Sequence, residues 1–246
     1  MPLTAEHLTF TYRSAETPAV HDISAEFECG KVYGIFGRNG CGKTTLLKLL
    51  SQELRPDSGS LHLDGRPFHT FRRKELAARI AVVEQEIPSA LPFNVRDCVM
   101  LGRYPHLGFS GRISPADRQA VSRALERTAM EEHSERPYNQ LSGGMKQLAM
   151  LARALAQDTD YLLCDEPANR FDPGHLDAFY QLAGECAAQG KCVIIICHDL
   201  FLAPSRIHEG LLIRNGSLFR RGTPEDLFTE ETLRAVFGCS LRSPVL

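Results

Sequence analysis

Residues 31–52 read KVYGIFGRNGCGKTTLLKLLSQ. The opening KVYGIFG is an apolar run of strand length, and GKTTLLKLLSQ has the spacing of a helix. Between them, Gly37–Thr44 reads GRNGCGKT and satisfies G-x-x-x-x-G-K-[ST]. Its place between a strand and a helix makes it a phosphate-binding loop rather than a glycine-rich turn. Gly37, Gly40 and Gly42 let the backbone fold around an anion without Cβ clashes. The N–H groups of the loop, including those of Arg38, Asn39 and Cys41, and the helix N-terminus attract phosphate oxygens. Lys43 reaches the β- and γ-phosphates, Thr44 offers a hydroxyl to Mg2+, and Thr45 adds a phosphate contact. Cys41, inside the loop, is expected to react with bulky thiol reagents unless nucleotide covers it.

Two more apolar strands belong with this loop. YLLCDEP (161–167) and KCVIIICHD (191–199) are separated by a helical pattern at about 174–189, which predicts a parallel sheet covered on both faces. Asp165 and Glu166 end the first strand. An acid there can hold the shell of Mg2+, and the next carboxylate can polarise a water for attack on the γ-phosphorus. His198 ends the second strand, placed to donate to the γ-phosphate and orient that water. Elsewhere the period changes. Residues 3–36, 58–65 and 210–222 alternate apolar and polar, predicting an antiparallel portion with Asn215-Gly216 as a hairpin turn. Residues 93–156 are mostly helical in pattern. Within them SPADRQAVSRALERTAM (114–130) has Ser114 as N-cap, Pro115 at the first helical position and Asp117 in the first turn. The expected fold is α/β: a P-loop NTPase core with a mixed sheet, an N-terminal antiparallel β-subdomain and an inserted helical subdomain. The core spans about 1–92 and 157–246, and the insertion about 93–156.

The whole chain narrows the partners. Its 246 residues are 43% hydrophobic and 24% charged, with net charge −2, so no basic field points to nucleic acid or anionic lipid. The run Arg72-Arg73-Lys74 reads as a solvated face. MPLTAEHLTF lacks the pattern of a signal peptide, and no apolar run approaches the roughly 18 residues of a membrane helix. The eight cysteines form no CxxC pair and read as small buried hydrophobes in a reducing cytoplasm.

LSGGMKQ (141–147) adds a second anion-binding helix start, with Ser142 as cap, Gly143 and Gly144 in the first turn, and an apolar stripe at 145, 148, 149, 152 and 155. Phosphate loop, LSGGMKQ, YLLCDEP and CHD, in that order, resemble the ATP-binding-cassette (ABC) ATPases along essentially the whole chain. The resemblance implies ATP and Mg2+ as cofactors. It implies that Tyr12, in FTYR, stacks on adenine. Gln85, in VVEQE, would link Mg2+ and the attacking water to the helical subdomain. Glu166 would be the catalytic base, His198 the switch histidine, and Asp172, in NRFDP, the aspartate of the loop that crosses the dimer interface. Two cassettes pack head to tail in the family, so each ATP lies between one chain's phosphate loop and the other's Ser142–Gly144. The pattern departs from the family at Met145, where glutamine is usual, and at Arg170-Phe171. FNVRDCVMLGRYPHLGF (93–109) resembles the permease-facing region of importer ATPases for iron–siderophore, haem and cobalamin complexes. That implies a homodimer at the inner face of the cell membrane. It would contact a permease through about 86–109 and act indirectly with a substrate-binding protein, without nucleic acid. The solute could instead be a metal ion or a phosphonate, and a non-transport cassette ATPase is a remoter alternative. Residues 223–246 read as helix plus tail.

Overall fold

Every residue of Val32–Phe36 is buried, as befits a strand with neighbours on both edges and cover on both faces. The computed structural model describes residues 2–85, 88–108, 111–167, 171–198, 200 and 203–238. Arg170 and the tail 239–246 lie outside the described residues, as do Glu86, Ile87 and Phe109 of the permease-facing stretch. The strands are β1 (Pro2–Phe10), β2 (Val20–Glu28), β3 (Val32–Phe36), β4 (Ser58–Leu63), β5 (Arg66–Pro67), β6 (Ile80–Val83), β7 (Tyr161–Asp165), β8 (Cys192–Ile196), β9 (Glu209–Arg214) and β10 (Ser217–Gly222). The helices are α1 (Lys43–Leu50), α2 (Arg73–Ala77), α3 (Val95–Met100), α4 (Pro115–Arg127), α5 (Gly143–Ala156), α6 (Pro173–Ala188), α7 (Pro224–Leu227) and α8 (Glu230–Phe237). They fall into two compact units, Met1–Phe71 with Ala183–Leu246, and Arg72–Leu182.

In the first unit β2, β1, β4 and β5 lie side by side, all antiparallel. The alternation of their sequence is the reason: Val20, Ile23, Ala25 and Phe27 of β2 turn inward while residues between them face water. A second sheet is mixed. β3 runs parallel to β8 and to β9, and β9 runs antiparallel to β10. The hairpin at Asn215-Gly216 forms, with both residues at positive φ (49° and 79°). It extends the parallel sheet, however, and is no part of the N-terminal antiparallel one. Residues 210–213 are all buried, so β9 is an interior strand rather than a half-exposed one.

In the second unit β6 pairs with β7 in parallel, Ile80 opposite Tyr161. Helices α3, α4 and α5 share a core containing Val99, Leu125, Tyr138, Met150 and Ala152. The buried face of α5 differs from the expected stripe. Ala149 and Ala152 are buried, but Met145, Leu148 and Leu155 are only partly so, while Met150, Leu151, Ala154 and Ala156 are fully covered. The helix has neighbours on several sides, so small alanines as well as large residues are enclosed.

A buried ion pair fixes the start of α4. Ser114 Oγ accepts the Asp117 N–H, and Asp117 Oδ2 accepts the Ser114 N–H at 2.9 Å. The other carboxylate oxygen takes Arg103 Nε–H at 2.9 Å, and the same guanidinium donates to the Ala156 carbonyl at 2.7 Å. The hydroxyl and N–H of Ser114, and then Arg103, hold the Asp117 carboxyl down at about 2. That is below the unfolded value of about 3.9, so its stabilisation is complete above the latter and fades as pH falls through the former. Asp117→Asn is expected to cost about 3 kcal/mol near neutrality, because Arg103 loses its counter-charge. Melting scans from about pH 7 to about pH 2.5 should show the Tm gap to the parent shrinking with acid. A constant gap would contradict this account.

Candidate functional site

The fully buried β3 delivers the chain into residues 37–42 with no freedom to drift. Two glycines there are sterically compelled. Gly42 has φ 105°, and a Cβ on it would lie 2.1 Å from the Ala19 carbonyl oxygen. One on Gly37, at φ 151°, would lie 2.3 Å from the Ile213 oxygen. The loop is braced from behind, since the Gly216 N–H donates to the Cys41 carbonyl at 3.0 Å. The Asn215-Gly216 turn is thus a support of this loop, which its hairpin signature in the sequence did not disclose.

Side chains are then set by the helix that follows. Lys43 is 5% exposed, and its ammonium donates to the Gly37 and Arg38 carbonyls at 3.0 and 3.2 Å. Arg38, Asn39 and Gly40 are exposed, Thr44 is half-buried and Thr45 is buried. No acidic residue occupies the first turn of α1, so its N–H groups are left for an anion. Tyr12, half-exposed, approaches Thr45 through its hydroxyl (3.2 Å to Oγ1) and stands edge-on to Phe10. The β3–β8 register pairs Ile35 with Ile196, and Cys197 N–H donates to the Ile35 carbonyl. His198 therefore emerges, exposed, at the same end of the ladder as Gly37. The first unit brings Tyr12, the phosphate loop, Lys43–Thr45 and His198 together.

The second unit carries the remaining candidates. Asp165 ends β7 and is 4% exposed. Glu166 follows in the left-handed region at φ 46°, which costs a non-glycine residue about 1 kcal/mol. Its Oε2 accepts Gln85 Nε2–H at 2.7 Å. Ser142 caps α5, its Oγ accepting the Met145 N–H at 3.3 Å. Gly143 and Gly144 form the first turn, again without an acidic residue. Asp172 caps α6, taking the His175 N–H at 2.9 Å and meeting the His175 ring Nδ1 at 2.8 Å. The His175 N–H, then its ring, hold the Asp172 carboxyl below the usual range. Phe171 sits against His175 and Phe179.

Two anion-ready helix starts and a carboxylate–amide pair are the parts of a nucleotide hydrolase, and relatives agree. The chain matches the ABC transporter family over residues 20–169. The chain belongs to that family. ABC transporter ATP-binding proteins are ATPases, and this cassette is one. It is 35% identical to the iron(3+)-hydroxamate import ATP-binding protein FhuC of Bacillus subtilis, covering 96% of this chain and 87% of that protein. It is 36% identical to the hemin import ATP-binding protein HmuV of Rhizobium meliloti, covering 95% and 90% respectively. Among solved structures it resembles an inward-facing ABC transporter described as metal-chelate type, with TM-score 0.83 and 27% identity over 97% of this chain and 89% of that one. Among the described residues of this cassette, no helix is long and apolar enough to cross a membrane.

One expectation from the sequence changes. Cys41 is only 8% exposed, and a Cβ on Gly37 would meet its Sγ at 2.6 Å, so the thiol lies under the loop. Burial pushes this thiol up, despite the nearby Lys43. Thiolate is the reactive form, so Cys41 should be alkylated far more slowly than an exposed cysteine near neutral pH, with or without nucleotide. Peptide mass analysis over a maleimide time course tests this; labelling as fast as for an exposed cysteine would contradict it.

Proposed function

We propose that this cassette is the ATP-hydrolysing subunit of an importer for a ferric siderophore or a related metal chelate such as haem or cobalamin. The near full-length similarity to iron–hydroxamate and hemin import ATP-binding proteins carries this reading. Two cassettes close head to tail on ATP at the inner, cytoplasmic face of the cell membrane. Each ATP is gripped by one chain's Gly37–Thr45 and the other chain's Ser142, Gly143 and Gly144. Tyr12 stacks on the adenine. The segment of about 93–156 is the signature-bearing helical subdomain, and about 1–92 with 157–246 the core.

Phosphoryl transfer needs charge neutralisation and alignment more than covalent help. Lys43 and the loop N–H groups neutralise the phosphates. The residues present suit Mg2+, which keeps several waters and takes one or two protein ligands beside the phosphates. Thr44 offers a hydroxyl, Asp165 a buried carboxylate at a strand end, and Gln85 an amide oxygen. Bound there, the ion would spread the charge of the phosphate oxygens. Glu166 takes the proton of the attacking water, and His198 donates to the γ-phosphate. Asp172 belongs to the loop that crosses between the two cassettes.

The permease is contacted through about 86–109. In that stretch Phe93, Leu101 and Tyr104 are 39%, 45% and 73% exposed, large side chains at the surface of the described residues. Their backbone is fastened to the far end of the signature helix. A Cβ on Gly102 would meet the Arg153 carbonyl oxygen at 2.2 Å, Arg103 donates to Ala156, and His106 Nε2 lies 2.6 Å from the Gln157 oxygen. A push on Tyr104 is therefore delivered to a rigid helix about 21 Å long whose other end is Ser142.

Glu166→Gln should retain ATP affinity, lose steady-state hydrolysis by about a hundredfold or more, and accumulate as an ATP-bound dimer on size exclusion. Lys43→Ala should lose nucleotide affinity instead. Wild-type turnover in Glu166→Gln would remove Glu166 as the base. For the solute, uptake of labelled ferric siderophores, haem and cobalamin is measured with and without the gene. Loss of one of these supports the reading, and unchanged uptake of all three sinks it in favour of another solute.

A further inference from the structure

Three consecutive cations stand at the start of α2, and the second unit fastens them beside the Leu101–His106 segment. Arg72, Arg73 and Lys74 are exposed, whereas Leu76 of the same helix is buried. A helix of five residues does not hold its place unaided. Here polar contacts hold it. The Lys74 ammonium donates to the Leu107 carbonyl. Gln157, at the end of α5, makes a second tie. Its side-chain amide donates to the Ala77 and Ile80 carbonyls at 2.5 and 3.0 Å, and its own carbonyl lies 2.6 Å from His106 Nε2.

The charge on α2 is left uncompensated. Elsewhere in this unit Arg79 pairs with Asp160, Arg96 with Glu135 and Arg103 with Asp117. Among the described residues, Arg72 and Arg73 meet no carboxylate. Glu75, the acid of α2, turns back to accept the Arg72 N–H at 2.8 Å. The chain as a whole carries net charge −2, so this cluster is a local feature and not part of a basic field. A guanidinium presents a planar fork of donors that matches the oxygens of a phosphate group.

We propose that Arg72 and Arg73, with Lys74 beside them, bind the phosphate groups of anionic phospholipids at the rim of the permease. The inference takes from the proposed function that the Leu101–His106 segment faces the membrane side. Because α2 is fastened beside that segment, a cassette seated on the permease brings these cations to the lipid surface around it. An anionic leaflet attracts basic side chains that come within about 10 Å, and each one strengthens binding about fivefold. Two or three such residues do not anchor a protein alone. Added to a protein contact they act as a second attachment, and the two reinforce each other. Leu101 and Tyr104 are left to the permease, so the two contacts do not compete.

The test uses the purified full-length chain and two kinds of vesicle, pure phosphatidylcholine and phosphatidylcholine with about one-third phosphatidylglycerol, read by co-sedimentation. At about 50 mM salt the anionic vesicles should take up about tenfold more protein or better, and the excess should vanish at about 500 mM. The double variant Arg72→Gln/Arg73→Gln should lose about tenfold or more of that uptake, with basal ATP hydrolysis within about twofold of the parent. Arg118→Gln/Arg123→Gln removes the same charge from exposed positions of α4 and should keep the uptake. Equal uptake by both vesicles overturns the proposal. So does equal loss in both double variants, since net charge alone would then be at work. Displacement by inorganic phosphate, but not by chloride at the same ionic strength, overturns it in favour of free phosphate. No lipid preference, with loss of permease co-purification in Arg72→Gln/Arg73→Gln, overturns it in favour of permease carboxylates. The readings fail separately. Unchanged uptake of all three chelates sinks the solute reading and leaves the vesicle result standing, and a failed permease reading shows as a wild type that purifies without any integral-membrane protein.

Discussion

The backbone of residues 37–42 is pressed against other backbone at two points where only hydrogen fits, and much else in the first unit follows from that contact. Gly42 faces the Ala19 carbonyl and Gly37 the Ile213 carbonyl. The loop cannot relax outward on its near side because β3 enters it fully buried. It cannot collapse inward because Ala19, Ile213 and Gly216 already stand there. What remains is a concave run of N–H groups ending in a helix start, with Lys43 held across it by two carbonyls. A phosphate replacing those carbonyls as the partner of Lys43 would find its surroundings already arranged, so little reorganisation opposes binding.

The second unit is organised around one helix fastened at both ends. Helix α5 is held at both ends by polar contacts to neighbouring loop segments. Tyr138 and Lys146 hold Pro88 and Ser89 at its start, and Arg103 and Gly102 hold the Leu101–His106 segment at its end. Its middle is enclosed by close-packed side chains such as Met150 and Ala152. Interiors of that density transmit strain rather than dissipate it. The Arg103–Asp117 pair fits this arrangement. A buried charge pair gives little net stability over an apolar one, but it permits few alternative geometries.

Caps and buried strands are legible in the sequence, whereas long-range polar contacts are not. Ser114 and Ser142 are caps because a cap depends on residues three positions away. The strands β3, β7 and β8 were legible because a continuous apolar run of that length has few other fates. The hydrogen bond from Lys146 to Ser89 spans fifty-seven residues and is made to a carbonyl, which any residue type could have supplied. The support of Cys41 by Gly216 is likewise backbone to backbone. Even the phase of α5 was only partly readable, since its alanines carry no strong pattern and their burial is decided by what surrounds them.

Met145 shows how a departure from the family pattern can leave the chemistry intact. The groups at this helix start that can meet an anion are the Ser142 hydroxyl and the N–H groups of the first turn. The Met145 N–H is already taken by Ser142 Oγ, so this residue's backbone serves the cap and not the ligand. A hydroxyl that accepts this bond still has its own proton to donate. The cap thus aims the Ser142 proton, while the N–H groups of Gly143 and Gly144 carry no cap. The Met145 side chain, meanwhile, packs partly against the helical core beside Leu148. The methionine seats the first turn on that core through a flexible apolar side chain suited to irregular gaps. The atoms left at this helix start to meet an anion belong to Ser142, Gly143 and Gly144, which match the family pattern.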